Sequence, residues 1–239
     1  MSEKSWMTMA NTFMETVKGQ LIISCQALPE EPLHSSFIMA RMARAAKMAG
    51  AVALRANSVV DVQAIQDETG LPIIGIIKQN YADSKTFITP TIKEMRAIAA
   101  TGVPVVATQV TGQRRPDNEQ LATIVAQFRK EFPETLLMAD TATLDNVREA
   151  DDLGFDIIGT TMHGYTDDTQ GLNIADNNFD YLKKVVKAAQ HPVIAEGKID
   201  TPAKAAEVLN LGVHAVVVGS AITRPLEIAK GFIAAVAER

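Results

Sequence analysis

Cysteine is almost absent from this 239-residue chain. Cys25 stands alone, which excludes an intrachain disulfide and a cysteine-rich metal site and suits a reducing compartment. No apolar run approaches the ~20 residues that a bilayer-spanning helix requires, so no membrane partner is expected. The opening Met1-Ser2-Glu3-Lys4-Ser5-Trp6 mixes charge and polarity instead of leading a positive segment into an apolar one, and a cytoplasmic address is the expectation. Basic excess is missing as well. With 23 Lys+Arg against 28 Asp+Glu, the formal net charge is -5, which leaves no electrostatic footprint for nucleic acid. The first apolar run ends Ser24-Cys25-Gln26-Ala27-Leu28-Pro29, where a dinucleotide-binding open sheet would carry a glycine-rich turn. Gly197-Lys198 lacks the remainder of a P-loop. His34, His163, His191 and His214 form no metal triad by spacing, so no metal is expected.

What is present is a rhythm: an apolar run, a polar or glycine-containing turn, then an amphipathic helical pattern. The runs are 21–26, 51–55, 73–78, 105–109, 136–140, 156–161, 193–196 and 215–219. Strands alternating with helices argue for a parallel sheet, and eight units in a chain of this length argue for a single-domain (β/α)8 barrel. Residues 21–239 are assigned to that barrel. Residues 1–20 carry Trp6, Met9, Phe13, Met14 and Val17 at helical spacing, and an extra N-terminal helix packed over the barrel's bottom or on a neighbour is expected there.

Each run turns polar at its carboxyl end: Gln26, Arg55, Lys78, Gln109, Asp140, Thr160, Glu196 and Ser220. In such barrels the carboxyl ends of the strands form the active-site face. The stretch from His191 to Arg224 reads as one βαβ unit, with Thr201-Pro202 opening its helix and Gly212 closing it. Parallel strands place Gly197 and Gly219-Ser220 at the same edge, where loops lacking Cβ atoms let backbone N–H groups approach a phosphate.

Lys78 follows Ile76 and Ile77. A lysine there can snorkel into solvent, or desolvation at the barrel mouth can lower its pKa and make it a base. Glu196 can pair with Lys78 or Arg55, or can share acid and base roles with the lysine. Asp140 can bind a hydroxyl or orient the lysine. Arg55 and Arg224 are candidate anion partners, and Gln26 and Asn57 candidate hydrogen-bonding groups, although Asn57-Ser58 also suits a helix cap. Cys25 reads as a buried thiol.

The chain resembles the N-acetylmannosamine-6-phosphate 2-epimerase family over residues 21–230. The segments that carry the resemblance include Ser24-Cys25-Gln26, Arg55-Ala56-Asn57-Ser58, Gly75-Ile76-Ile77-Lys78, Phe87-Ile88-Thr89-Pro90-Thr91, Leu137-Met138-Ala139-Asp140, Ile194-Ala195-Glu196-Gly197-Lys198 and Gly219-Ser220-Ala221-Ile222-Thr223-Arg224-Pro225. The resemblance implies interconversion of N-acetylmannosamine 6-phosphate and N-acetylglucosamine 6-phosphate in sialic acid and amino-sugar catabolism. It implies catalytic roles for Lys78 and Glu196, substrate contacts from Gln26, Arg55, Asp140 and Arg224, and phosphate at Gly197, Gly219 and Ser220. The substrate would be a phosphorylated N-acetylated hexosamine. No cofactor is implied, because the C1 aldehyde of the open-chain sugar already acidifies C2–H.

Two departures stand out. Gln109 occupies a region where the family usually has an aspartate, and Met162-His163 stands where Leu-Ser is common, which points to altered ring-side or N-acetyl contacts. The competing readings are a Schiff-base aldolase using Lys78, a metal-dependent pentulose-phosphate epimerase and a non-catalytic phosphosugar-binding protein. The apolar helix faces also allow a homodimer.

Overall fold

The computed structural model describes residues 12–238. In chain order the elements are α1 (residues 12–17), β1 (Leu21–Cys25), α2 (Ser36–Met48), β2 (Ala53–Asn57), α3 (Val59–Thr69), β3 (Ile73–Ile76), α4 (Ile92–Ala99), β4 (Val105–Val110), α5 (Leu121–Glu131), β5 (Leu136–Thr141), α6 (Leu144–Asp152), β6 (Ile157–Gly159), α7 (Asp176–Ala188), β7 (Val193–Glu196), α8 (Pro202–Asn210), β8 (Ala215–Val218), α9 (Ser220–Thr223) and α10 (Pro225–Ala237). A 3-10 turn, Pro116–Asn118, precedes α5. The eight strands pair in sequence order, all parallel, and β1 closes on β8. The chain therefore folds as the (β/α)8 barrel.

Helix starts are written locally. Thr91 with Glu94 and Thr143 with Asn146 form capping boxes at α4 and α6, and Thr201 caps α8 ahead of Pro202; each supplies oxygen acceptors to otherwise unpaired first-turn N–H groups. Strand side chains alternate between two environments. One set, including Ile23, Leu54, Ile73, Val106 and Leu137, packs under the helices. The other, including Ile22, Ala53, Ile74, Val105, Ile157, Ile194 and Ala215, fills the barrel. Phe13 and Val17 of α1 join that interior cluster and close its lower end. Trp6 and Met9 lie outside the described residues.

Three strand ends differ from the sequence pattern by two residues, and the others by one at most. The second strand runs to Asn57 instead of stopping at Arg55. At Ile77-Lys78 side chains replace the neighbouring strand as acceptors, whereas beyond Gly159 the Thr160 N–H still reaches the Ile194 carbonyl at 3.4 Å and the Thr160 hydroxyl takes up the Glu196 backbone. Ile77 N–H donates to Thr89 Oγ1 at 3.1 Å and Lys78 N–H to Asn57 Oδ1 at 2.7 Å, while Thr160 Oγ1 donates to the Glu196 carbonyl at 2.8 Å. Among the described residues no helix is long and apolar enough to cross a membrane.

Candidate active site

The inward register explains the polarity of the mouth. Two residues beyond Ala53 stands Arg55, two beyond Ile76 stands Lys78, two beyond Met138 stands Asp140 and two beyond Ile194 stands Glu196. The same alternation that fills the lower barrel with hydrocarbon brings these groups together at the top. They border a cavity of about 540 Å³ lined by Gln26, Lys78, Glu196, Gly197, Gly219 and Arg224 among others. Ser220 lines it too.

Arg55 is placed differently from a ligand-facing cation. It is 1% exposed and lies below the cavity. Its Nη1 donates to Asp140 Oδ1 at 3.0 Å and to Glu196 Oε2 at 2.7 Å, and its Nη2 donates to Asp140 Oδ2 at 2.5 Å. Burial works against the guanidinium's charge, but Asp140 and then Glu196 outweigh it and raise the pKa. Thr161, which the sequence reading did not single out, completes the cluster. Its hydroxyl lies 2.6 Å from Asp140 Oδ1 and 3.4 Å from Glu196 Oε2. The inward β6 position before it is Gly159 because there is no room for more: a Cβ would sit 2.5 Å from Met138 Cε and 3.2 Å from Asp140 Oδ1.

Above this buried triad, Lys78 presents an ammonium with no hydrogen-bond or ion-pair partner among the described residues. Burial lowers its pKa to about 8, helped by the positive charges of Arg55 and Arg224 and opposed by Glu196 and Asp140. Burial likewise pushes the Glu196 carboxyl well above the ordinary carboxylate range, against the pull of Arg55. The mouth thus holds an amine and a carboxyl that both titrate closer to neutrality than usual, the arrangement expected of a proton-transfer pair.

Gln26 donates its Nε2 to Ser24 Oγ at 2.8 Å, and its Oε1 is buried without a partner at the cavity wall. Gly197 (φ +108) adopts a backbone that side-chain-bearing residues rarely take. Gly219 precedes the single turn α9, with Ser220 as its first residue. Arg224 reaches the rim, where its Nη2 donates to Glu31 Oε1 at 2.7 Å. Lys198 also lines the cavity, with its Nζ 5.4 Å from the Tyr165 ring centroid. Its place one step after a strand-end glycine was the signal that could have identified it.

The two departures lie elsewhere. His163 is 7% exposed, stacks on Tyr181 at a centroid separation of 3.6 Å and sets Nδ1 2.9 Å from the Ala142 carbonyl; its neighbour Met162 is the one that lines the cavity. Gln109 is 1% exposed and turned toward the loop after β3. Asn57 holds the Lys78 backbone, and Ser58 caps α3 by accepting the Asp61 N–H at 3.2 Å. Burial pushes the Cys25 thiol up to about 12. Among the described residues no three His, Cys, Asp or Glu side chains are grouped to hold a metal ion.

Comparison with known proteins gives a consistent picture. The family described as "Putative N-acetylmannosamine-6-phosphate epimerase" matches residues 39–238. A protein of that name with 2-epimerase specificity from Pediococcus pentosaceus is 72% identical over 228 residues, 95% of this chain and 100% of the relative. Its counterpart from Lactiplantibacillus plantarum is 70% identical over 227 residues, again 95% and 100% of the two chains. The solved N-acetylmannosamine-6-phosphate 2-epimerase of Clostridium perfringens superposes with a TM-score of 0.88 at 46% identity, covering 93% of this chain and 95% of that one.

Proposed function

The chain belongs to the N-acetylmannosamine-6-phosphate 2-epimerase family, and from that premise we propose that its cavity interconverts N-acetylmannosamine 6-phosphate and N-acetylglucosamine 6-phosphate, with Lys78 as the base. It is an isomerase. The observation that carries the residue assignment is the unpartnered, desolvated Lys78 at the mouth of the cavity.

In the open-chain sugar, C2 bears one hydrogen beside the C1 aldehyde. The neutral Lys78 amine takes that proton; the C2–H electron pair moves into a C1–C2 double bond and the carbonyl electrons go to O1. Glu196, held by Arg55 and Thr161, is the partner that carries a proton on the other side of the exchange, since its carboxyl is raised toward neutrality. Return of a proton to the opposite face of C2 re-forms the aldehyde with inverted configuration, and no electrons are gained or lost. Arg55 and Asp140 act from beneath, fixing Glu196 and offsetting charge at the mouth. Gln26 Oε1 supplies a buried acceptor for a substrate N–H or hydroxyl. Gly197, Gly219 and Ser220 line the end of the cavity with backbone that can approach the phosphate, and Arg224 supplies the cation.

The partner in solution is a second copy of this chain. The 13-residue α10 has no buried residue, and Phe232 and Ile233 are 73% and 69% exposed. A short apolar helix is not stable on its own in water, and symmetric homodimers are the commonest way to cover such a face. Sedimentation of Phe232→Glu against wild type checks this, with a shift to monomer expected. The chain has the makeup of a cytoplasmic enzyme, which fractionation would test.

Proton NMR in D2O tests the chemistry. Wild type is expected to incorporate deuterium at C2 of N-acetylmannosamine 6-phosphate as the epimer grows in, whereas Lys78→Ala is not. Saturable binding without exchange would overturn the epimerase reading and leave a phosphosugar-binding protein.

A further inference from the structure

We propose that Gln109 is a positioning residue for Lys78, anchoring the return arm of the strap that carries the lysine without adding charge to the mouth. The proposal rests on the reading of Lys78 as the proton-transfer residue.

Gln109 lies on β4, opposite Asp140 in the β4–β5 register, and continues the inward series of Val105 and Ala107. By parity it belongs with the residues at the mouth, yet its side chain serves the chain and not the cavity. Its Oε1 accepts the backbone N–H of Phe87 at 3.0 Å and of Ile88 at 3.4 Å, and its own N–H donates to the Ile88 carbonyl at 3.0 Å. Its Nε2 donates to Thr111 Oγ1 at 3.0 Å and Gln113 Oε1 at 2.9 Å. Both ends of the amide are therefore in use.

The held segment is the return arm of a hairpin whose outgoing arm carries Lys78. Lys78 and Ile88 form an antiparallel bridge. On either side of it Gln79 N–H donates to the Phe87 carbonyl at 2.9 Å and Thr89 N–H to the Ile77 carbonyl at 2.7 Å. Phe87 and Ile88 then line the cavity beside the lysine. Thr108 and Arg115 hold the arm further along, through the Thr89 and Pro90 carbonyls. Gln109 fixes the part directly behind Lys78.

The amide also fits the charge pattern. Lys78 faces Arg55 from β2, Arg224 after β8, Glu196 from β7 and Asp140 from β5. A carboxylate on β4 would add a third negative group and favour the ammonium over the free amine. It would also meet Gln113 Oε1 with no proton to donate.

The test compares full-length Gln109→Met, Gln109→Glu and Lys78→Ala by steady-state kinetics and C2 exchange across the neutral and alkaline range. Gln109→Met removes the anchor and is expected to lower kcat at least about tenfold with KM within about twofold, since misplacement of a reacting group acts on the chemical step. Gln109→Glu keeps the acceptor and is expected to recover most of that kcat while its rising pH limb moves upward by roughly half a unit or more. A Gln109→Met enzyme within about twofold of wild-type kcat would overturn the proposal. So would Gln109→Glu that is as slow as the methionine variant with an unmoved limb, because Gln109 would then serve folding alone. Loss of exchange in Lys78→Ala with wild-type behaviour in both Gln109 variants overturns the positioning role only. Exchange persisting in Lys78→Ala overturns the base assignment and this inference with it.

Discussion

The lower and upper halves of the barrel interior are built by the same strands and differ by one step of two residues. Below, Ala53, Ile76, Met138 and Ile194 pack in one cluster with Phe13 and Val17 into a core closed to water. Above, the same inward rows end in Arg55, Lys78, Asp140 and Glu196, with Arg55 and Asp140 almost wholly buried. The lower half stabilises the fold by removing apolar surface from water. The upper half places charged groups where burial works against them and relies on pairing to hold them, which is why the amine left without a partner is the one whose pKa falls furthest toward neutrality.

Substitution in each half should separate these tasks. Lys78→Ala is expected to slow C2 exchange about a hundredfold to ten-thousandfold, the usual contribution of a proton-transferring side chain, with the fold intact by circular dichroism. Arg55→Met strands Asp140 and should lower unfolding free energy by roughly 3–5 kcal/mol, as expected when one partner of a buried ion pair is removed, and activity should go with it; chemical denaturation reads the first and NMR the second. Ile74→Ala should cost about 2–5 kcal/mol through the lost burial and the cavity left behind, yet leave kcat and KM of the folded fraction close to wild type. A comparable fall in kcat would show that the lower core also sets the geometry of the mouth.

The comparison is sharpened by pH. Because Lys78 must be neutral to accept a proton and titrates at about 8, the exchange rate should climb about tenfold per unit below that pH and level above it. The sign for stability follows from the same shift. The folded pKa lies below the unfolded value, so the unfolded chain binds more protons between about 8 and 10.5, and wild-type stability should rise with pH across that window. Lys78→Met should accordingly be more stable than wild type at neutral pH by roughly 1–3 kcal/mol, solvent screening setting the lower end, and should lose that advantage as the window is crossed. Thermal melts at several pH values check it. The smallest effect is expected from Gly197→Ala, where the φ of +108 disfavours a side chain by about 1–2 kcal/mol and KM should rise more than kcat falls.

Lys78, Glu196, Gly197, Gly219 and Ser220 were legible because each closes an apolar run of parallel strand, and parity leaves such a residue little choice but the mouth. Arg55 was legible as a mouth residue and as one of two cations that Glu196 could pair with, but not as the partner of Asp140, which lies 85 residues away in sequence. Thr161 gave no signal because Thr160 beside it has the same chemistry and only the end of β6 decides which hydroxyl points inward. His163 read as a mouth residue, whereas the ring lies against Tyr181.

By itself the sequence determined the eight-unit rhythm, the helix caps and the polarity gradient along each strand, because those depend on contacts a few residues apart or on a period of two. Only the tertiary structure decided which charges pair, which lysine stands free and what Gln109 holds. Those outcomes depend on closing β1 against β8, since barrel closure brings side chains from every strand within hydrogen-bond reach in a space where water no longer screens them.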